Sequence, residues 1–175
     1  MKNVLSPEQI LGFIAVVLVV LSYQAADPRR AILIQVLSQA IFSIHLFWLG
    51  AATGAIQVFA AAARDAFAVR ATVKWLLVVS AGYLVLAWIN AAITAGQWLD
   101  IAPAVATSFM TVTLFLRDRP FTFRCLSLLG VWLWLAYFVA EGSGPGVVQS
   151  ILLTGSILIS MLRHDRGVIH GLPRI

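Results

Sequence analysis

Residues 60–70 read AAAARDAFAVR, and they raise the question that decides the fold: does this stretch cross a bilayer? The alanines suit an apolar helix, but Arg64 and Asp65 interrupt them side by side. Estimates of the cost of an arginine at the centre of a bilayer run from about 3 to more than 10 kcal/mol, so Arg64 cannot face lipid there. The stretch is therefore either the weakest of seven spans or a break that leaves six.

The composition of the whole chain indicates that lipid surrounds it. Of 175 residues, 61% are hydrophobic and only 11% are charged, whereas a typical soluble domain has about 25% charged residues. The net charge of +5 comes from basic residues spread between apolar runs. They form no stripe that would bind nucleic acid. The single Cys125 excludes an internal disulfide. We predict one all-α membrane domain.

Seven apolar runs approach the roughly 20 residues that a transmembrane helix needs. They lie at about 8–26, 31–49, 53–71, 75–95, 99–116, 121–140 and 145–163. The first run begins with Ser6, Pro7 and Gln9, which is typical of a helix start with an N-cap and a capping-box partner. We expect this run to be retained as a helix rather than removed as a secretory signal.

The distribution of Lys and Arg favours the doubtful third span. Short loops rich in these residues lie on the cytoplasmic side of a membrane. Leaving out Arg64, ten of the Lys and Arg residues fall in the 1–2, 3–4 and 5–6 turns or in the tail, and only Lys2 falls on the other side. This alternation requires the third run to span. It predicts seven transmembrane helices, with the N-terminus in the periplasm and the C-terminus in the cytoplasm.

A shift of 92 residues aligns the two halves of the chain without gaps. Six identical pairs result: Val20/Val112, Pro28/Pro120, Leu37/Leu129, Gly50/Gly142, Gly54/Gly146 and Gln57/Gln149. Several of them fall at predicted turns and helix starts. We therefore predict two parallel three-helix bundles, at about 8–71 and 99–163, joined by a linker helix at about 75–95 and followed by a cytoplasmic tail, 164–175. Parallel repeats about an axis along the membrane normal are known among transporters.

Polar side chains within the apolar runs mark a candidate solute pathway. Positions spaced by seven residues share one face of a helix, which places Gln57 beside Arg64 in the third run and Gln149 beside Ser156 in the seventh. Each candidate also has a simpler interpretation, because such residues often hydrogen-bond or pack between helices. The full candidate set is Arg64, Gln57, Gln149, Ser156, His45 and Trp134.

Arg64 has two interpretations, lining a wet inner cavity or bracing backbone carbonyls. Asp65 lies about 100° round the same helix, so we expect it to be a poor direct partner. No acid occurs at matching depth in another run. The sequence therefore predicts a fixed positive charge without a deep carboxylate partner. Such a charge favours carbonyls, water or an anionic group of a solute.

A family resemblance rests on several short segments and their joint spacing. These are HLFWLG (45–50), then Arg64, Arg70 and Trp75, then APAVATSFMTVTLFL (102–116) and EGS (141–143). Together they resemble the YgjV family of bacterial inner-membrane proteins, which is distantly similar to the SWEET and PQ-loop carriers. The resemblance implies an inner-membrane location and a SWEET-like 3+1+3 arrangement. It implies no substrate. The proline–glutamine pair that names the PQ-loop group is absent here, since Pro103 is followed by alanine.

The function predicted from these observations is transport of a small polar or anionic solute by alternating access. The alternative is a non-transporting accessory, assembly or scaffold subunit. We expect no enzyme, cofactor or metal, since no metal spacing, activated nucleophile or phosphate loop is found. The expected partners are membrane lipids and a small solute, and a homo-oligomer or larger membrane complex is left open. A polar-lined cavity near the midplane would favour transport, and a dry, packed interior would favour the scaffold.

Overall fold

The computed structural model describes residues 6–22, 28–94, 96, 98–113, 115–116 and 119–164. Over these residues it contains α-helices and one 3-10 helix, and no strand, so the all-α prediction is confirmed. The predicted tail beyond residue 164 lies outside the described residues. The seven α-helices are α1 (Pro7–Ser22), α2 (Pro28–Leu49), α3 (Ala52–Ala68), α4 (Val73–Thr94), α5 (Ala102–Thr113), α6 (Pro120–Ala140) and α7 (Gly144–His164).

Each predicted apolar run corresponds to one of these helices, but the helices differ in their capacity to cross a membrane. Four segments are long and apolar enough: Ile32–Leu49, Lys74–Thr94, Pro120–Ala140 and Gly144–Arg163. α1 is a shorter apolar helix. The fifth run was expected to span over 99–116, yet α5 has 12 residues and follows a 3-10 helix, Trp98–Ile101. At 1.5 Å per residue, α5 rises only about 18 Å.

The helices of the two halves pack in the same order. α2 packs against α1 and α3, and α6 packs against α5 and α7. α4 contacts α3 and α5, which lie on either side of it in the sequence. Further contacts between the halves include α1 with α7 and α3 with α5. The 92-residue shift pairs α1 with α5 and α3 with α7. Under this pairing the contact of α1 with α7 corresponds to the contact of α5 with α3.

The turns that end α2 and α6 have the same backbone geometry. Gly50 and Gly142 have φ of +87° and +70°, a left-handed conformation that glycine adopts without steric cost. The backbone N–H of the next residue then donates to a carbonyl five residues earlier, at 3.0 Å in one turn and 2.9 Å in the other. These hydrogen bonds join Ala51 to Leu46 and Ser143 to Phe138. Each turn thus directs the chain straight into the next helix.

The outward faces of the helices carry large apolar side chains. Phe47, Ile93 and Trp98 are all more than two-thirds exposed, and Trp48 and Trp75 are more than half exposed near helix ends. Contiguous apolar surface of this kind is unusual on a soluble monomer. Lipid chains would cover it, and tryptophans near helix ends are typical of the membrane interface.

Candidate functional site

Arg64 lies inside the helix assembly, where α3, α4 and α5 meet. Its side chain is 12% exposed. Nη1 donates to Thr111 Oγ1 on α5 at 3.3 Å, and the guanidinium carbon lies 4.7 Å from the centre of the Tyr83 ring on α4. This position over an aromatic face gives a favourable cation–π interaction. The side chain therefore points into the protein rather than towards lipid.

Asp65 is a direct partner of Arg64, so the expectation that it would be a poor one was wrong. Arg64 Nε donates to Asp65 Oδ1 at 2.9 Å, and Nη2 lies 2.8 Å from the same oxygen. The two Cα–Cβ bonds diverge round the helix, but the arginine side chain is long enough to fold back onto the neighbouring carboxylate. The predicted positive charge without a deep carboxylate partner was therefore also wrong, because the pair is formally neutral.

The second oxygen of Asp65 is held by α2. Gln39 Nε2 donates to Asp65 Oδ2 at 3.0 Å. The other polar atom of this amide, Gln39 Oε1, is buried and has no hydrogen-bond partner among the described residues. An unsatisfied buried acceptor is costly. The charge pair on α3 thus contacts side chains from α2, α4 and α5, and Gln39 Oε1 is the acceptor that finds no donor among the described residues.

Gln57 lies two turns before Arg64 and is almost fully buried, at 1% exposure. Its Oε1 accepts a hydrogen bond from Thr107 Oγ1 on α5 at 3.0 Å. Its Nε2 donates to the Ala87 carbonyl on α4 at 3.4 Å, and Tyr83 Oη donates to the Gln57 carbonyl at 3.3 Å. We call the connected set the Arg64 network: Arg64, Asp65, Gln39, Gln57, Tyr83, Thr107 and Thr111.

The sequence prediction missed several members of this network. Thr107 and Thr111 are four residues apart in one helical run and therefore share a face, which is a signal that could have identified them. Gln39 and Tyr83 lie in apolar runs that hold several other polar residues, among them Ser38 and Ser80. No spacing marks which way their side chains point, so only the packing of α2 and α4 against α3 reveals their role.

A second polar cluster joins the two halves at the opposite end of α3. His45 is fully buried at the end of α2. Its Nδ1 lies 2.6 Å from the Glu8 backbone carbonyl oxygen, and its Nε2 lies 2.8 Å from Ser143 Oγ. A neutral imidazole with its hydrogen on Nδ1 satisfies both contacts, donating to the carbonyl and accepting from the serine. His45 thus connects α1 and α2 to the turn before α7.

Gln9 strengthens this connection instead of capping its own helix. Its Nε2 donates to the Gly142 carbonyl at 3.0 Å, and its Oε1 accepts from the Gly144 N–H at 3.1 Å. The predicted start of α1 at Pro7 is correct. The predicted capping box is wrong, because Gln9 is used by the α6–α7 turn and Ser6 Oγ has no partner among the described residues.

Tyr137 makes the matching connection from the other half. Its hydroxyl accepts a hydrogen bond from the Gly54 N–H at 3.0 Å, near the start of α3. His45 and Tyr137 are 92 residues apart; His45 contacts Ser143 in the turn before α7, and Tyr137 contacts Gly54 near the start of α3. We call this cluster the turn clamp: Gln9, His45, Tyr137, Ser143 and the glycines that they contact.

The tight approach at Gly54 gives a stability prediction. A Cβ built on Gly54 would lie 2.5 Å from Tyr137 Cε1, so Gly54→Ala should lower the free energy of unfolding by about 1–3 kcal/mol through overpacking. Gly82→Ala is the matched control, because nothing lies within 4 Å of the added Cβ and alanine is the better helix former. Unfolding of both variants in detergent micelles measures the difference. Equal losses at the two glycines would contradict the prediction.

The remaining candidates lie elsewhere. Trp134 stacks on Phe138 with ring centres 5.2 Å apart and meets Tyr137 edge-on at 5.9 Å. It is thus part of the packing beneath the turn clamp. Gln149 is half-buried and Ser156 is exposed on α7, a helix that packs mainly against α6 and α1. The structure does not bring these three side chains to Arg64.

A cleft of about 710 Å³ lies at the C-terminal end of α3. It is lined by Leu33, Ala66, Val69, Arg70 and Ala71. Ala66 adjoins Asp65 in sequence, and Val69 is one helical turn further on. Towards Gln57 the interior is closed by packing, with Thr107 and Thr111 each at most 3% exposed. In the part of the chain that is described, no three His, Cys, Asp or Glu residues are grouped to hold a metal ion.

Comparison with known proteins places the chain in a family. The Imp-YgjV family model, described as bacterial inner membrane protein, matches residues 7–167. The match covers most of the chain, so the protein belongs to this family. Neither a curated protein nor a solved structure matches it.

Proposed function

Because the chain is a bacterial inner-membrane protein of the Imp-YgjV family, we propose that it carries a small polar or anionic solute across the membrane by alternating access. The observation that carries this proposal is the Arg64 network, a charged and hydrogen-bonding cluster inside a strongly apolar chain. Ionisable residues within membrane segments are expensive and commonly mark substrate or ion pathways. The network lies where α3, α4 and α5 meet, which is where movement of one bundle against the other would act on it.

The proposed architecture is two parallel three-helix bundles, α1–α3 and α5–α7, joined by α4. Three observations support it: the matched turns at Gly50 and Gly142, the equivalent helix order, and the exchanged contacts between the halves. In carriers built from repeats, alternating access is largely a rocking of one repeat against the other. The paired geometry of this chain is the kind that such a movement requires.

The short helices α3 and α5 are compatible with seven spans. Non-ideal segments are tolerated at membrane depth where protein rather than lipid surrounds them. α3 and α5 contact each other and α4, and much of α5 is buried. Their backbone ends would therefore face protein or a wet cleft, in contrast to the long, lipid-exposed helices α4 and α6.

The arrangement fits a carrier that is closed at one end. The turn clamp holds the halves together where α2 ends and α3 begins, while the cleft beside Arg70 opens at the other end. With the basic turns in the cytoplasm, the clamp would face the periplasm. The described conformation is then the inward-open state of the cycle.

This orientation predicts the results of reporter fusions. A reporter that is active only in the periplasm should be active at the N-terminus, near Ala52 or after Gly142. It should be inactive after Arg30, Lys74 or Arg166. Activity after Lys74 would remove α3 as a span, and with it the parallel relation of the two halves.

Transport itself is tested in two steps. Metabolite profiling of a strain that lacks the protein identifies solutes whose distribution across the inner membrane changes. Uptake of those solutes is then measured in proteoliposomes that contain the purified protein. Uptake no faster than in protein-free vesicles, for every solute that the profile identifies, would refute the carrier proposal.

A second candidate function is a non-transporting accessory or assembly subunit. The dense packing around Gln57 favours it, since Thr107, Ala87 and Thr111 are all almost fully buried. A scaffold predicts that deletion lowers the abundance of a membrane complex which co-purifies with the protein, or that a homo-oligomer is its working form. It also predicts unchanged solute distributions, which separates it from a carrier.

A further inference from the structure

On the premise that the chain is a carrier, we propose that its solute is a monocarboxylate, which binds Arg64 together with one proton taken up by Asp65. The charge arrangement around Arg64 narrows the solute to this class. It also assigns the coupling ion.

The first step of the argument is charge balance in an apolar interior. In the described state the guanidinium and the carboxylate neutralise each other at 2.8 Å. Adding an anion to this pair would leave one unbalanced negative charge, which is costly away from water. If Asp65 takes a proton from a hydronium ion of the surrounding solution, an O–H bond of the hydronium breaks, one forms on the Asp65 carboxylate, and a water molecule is released. Arg64 then carries the positive charge that balances one solute anion, and the site stays neutral.

The second step concerns the shape of the group that Arg64 can accept. Asp65 Oδ1 now occupies both Nε and Nη2 of the guanidinium. These donors belong to a planar fork that matches a carboxylate in two-point contact. A solute carboxylate would therefore replace the Asp65 carboxylate like for like. Because the Arg64 guanidinium carries one positive charge, it balances a solute with one negative charge and not one with two.

The third step concerns the proton on Asp65. Gln39 Oε1 is buried without a hydrogen-bond donor, and the same amide already contacts Asp65 Oδ2 at 3.0 Å. An ionised Asp65 cannot use this acceptor, because a carboxylate has no hydrogen to donate. A protonated Asp65 can donate to it once the amide turns over. The Gln39 amide can thus pair with Asp65 in either state, donating from Nε2 to the carboxylate or accepting at Oε1 from the carboxylic acid.

The fourth step is access and surroundings. The cleft is lined by Ala66, the sequence neighbour of Asp65, and by the basic Arg70, which attracts anions to the opening. Among the described residues, Arg64 on its own helix contacts Asp65, and Tyr83 on α4 interacts electrostatically with both. From α2 it meets Gln39, and α5 presents Thr111 to Arg64.

The test is calorimetric titration of the purified full-length protein with acetate, lactate and pyruvate. Repeating each titration in buffers of different ionisation enthalpy counts the protons bound. We expect about one proton taken up per pyruvate, which makes the affinity fall about tenfold for each unit by which the pH rises. The Asp65→Asn variant should bind pyruvate without taking up a proton and with an affinity that does not depend on pH. The Asp65→Glu variant should keep the proton uptake and the pH dependence.

The outcomes separate this proposal from the carrier proposal. Binding of pyruvate to the wild-type protein without proton uptake overturns it, and so does proton uptake by Asp65→Asn. If none of the three anions binds while a neutral solute is transported, the carrier stands and this inference falls. Should Asp65→Asn not fold, the wild-type proton count still decides. In that case the double variant Arg64→Gln/Asp65→Asn, which keeps the site neutral, is expected not to bind pyruvate.

Discussion

Arg64→Gln and Asp65→Asn are each expected to lower the free energy of unfolding by about 3–5 kcal/mol, because each leaves the other charge buried without its partner. The double variant is expected to lose much less, since two neutral amides remove both desolvation costs together. Arg64 is 12% exposed and Asp65 is 22% exposed. Both are surrounded by an apolar chain, so water can rescue neither charge fully.

Equilibrium unfolding in mixed micelles measures this cycle of two single variants and one double variant. Arg119→Gln is the control, because Arg119 is exposed at the start of α6 and surface substitutions usually change stability by no more than about 0.5 kcal/mol. If the losses of the two single variants simply add up in the double variant, the side chains are not energetically coupled. The pair would then not be a buried unit.

The positions of the helices were predictable from the sequence, because each is a local property of one apolar run. The sequence prediction placed Pro28 and Pro120 in the turns before the runs at 31–49 and 121–140, whereas the structure makes them the first residues of α2 and α6, a position that proline favours. The turns at Gly50 and Gly142 follow from the left-handed conformation that glycine permits. The length of α5 was not predictable in this way, because an apolar run does not reveal that its first residues form a 3-10 helix.

The Arg64–Asp65 pair was missed because a helical wheel shows where a side chain begins, not where it ends. Adjacent positions diverge at Cβ, so the pattern predicted two separate charges. The arginine has four rotatable side-chain bonds before its planar fork, and it turns back to reach its neighbour. That choice depends on Thr111 and the Tyr83 ring, which belong to other helices and share no local pattern with α3.

The turn clamp was missed for a related reason. Gln9 has the spacing of a capping-box residue, and local chemistry alone predicts that its side chain caps the start of α1. In the folded chain the Gly142 carbonyl and the Gly144 N–H offer it two partners at once, and this long-range choice is favoured over the local one. His45 was identified as a candidate, but its link to Ser143 requires the α6–α7 turn to meet α2, a contact between halves that no single run contains.

Arg64→Gln/Asp65→Asn should abolish solute uptake in proteoliposomes while keeping most of the stability that either single variant loses. Neutrality is preserved in the double variant, but the guanidinium that would hold an anion is gone. Arg64→Lys should keep a positive charge but reduce uptake at least about tenfold, because an ammonium group lacks the planar fork. The uptake rate and the unfolding free energy are measured on the same preparations of each variant. If Arg64 only braces the helices, the uptake rate and the unfolding free energy will fall in step across the series, and the stable double variant will transport the solute. A double variant that is stable but transports nothing assigns Arg64 to the binding of the solute.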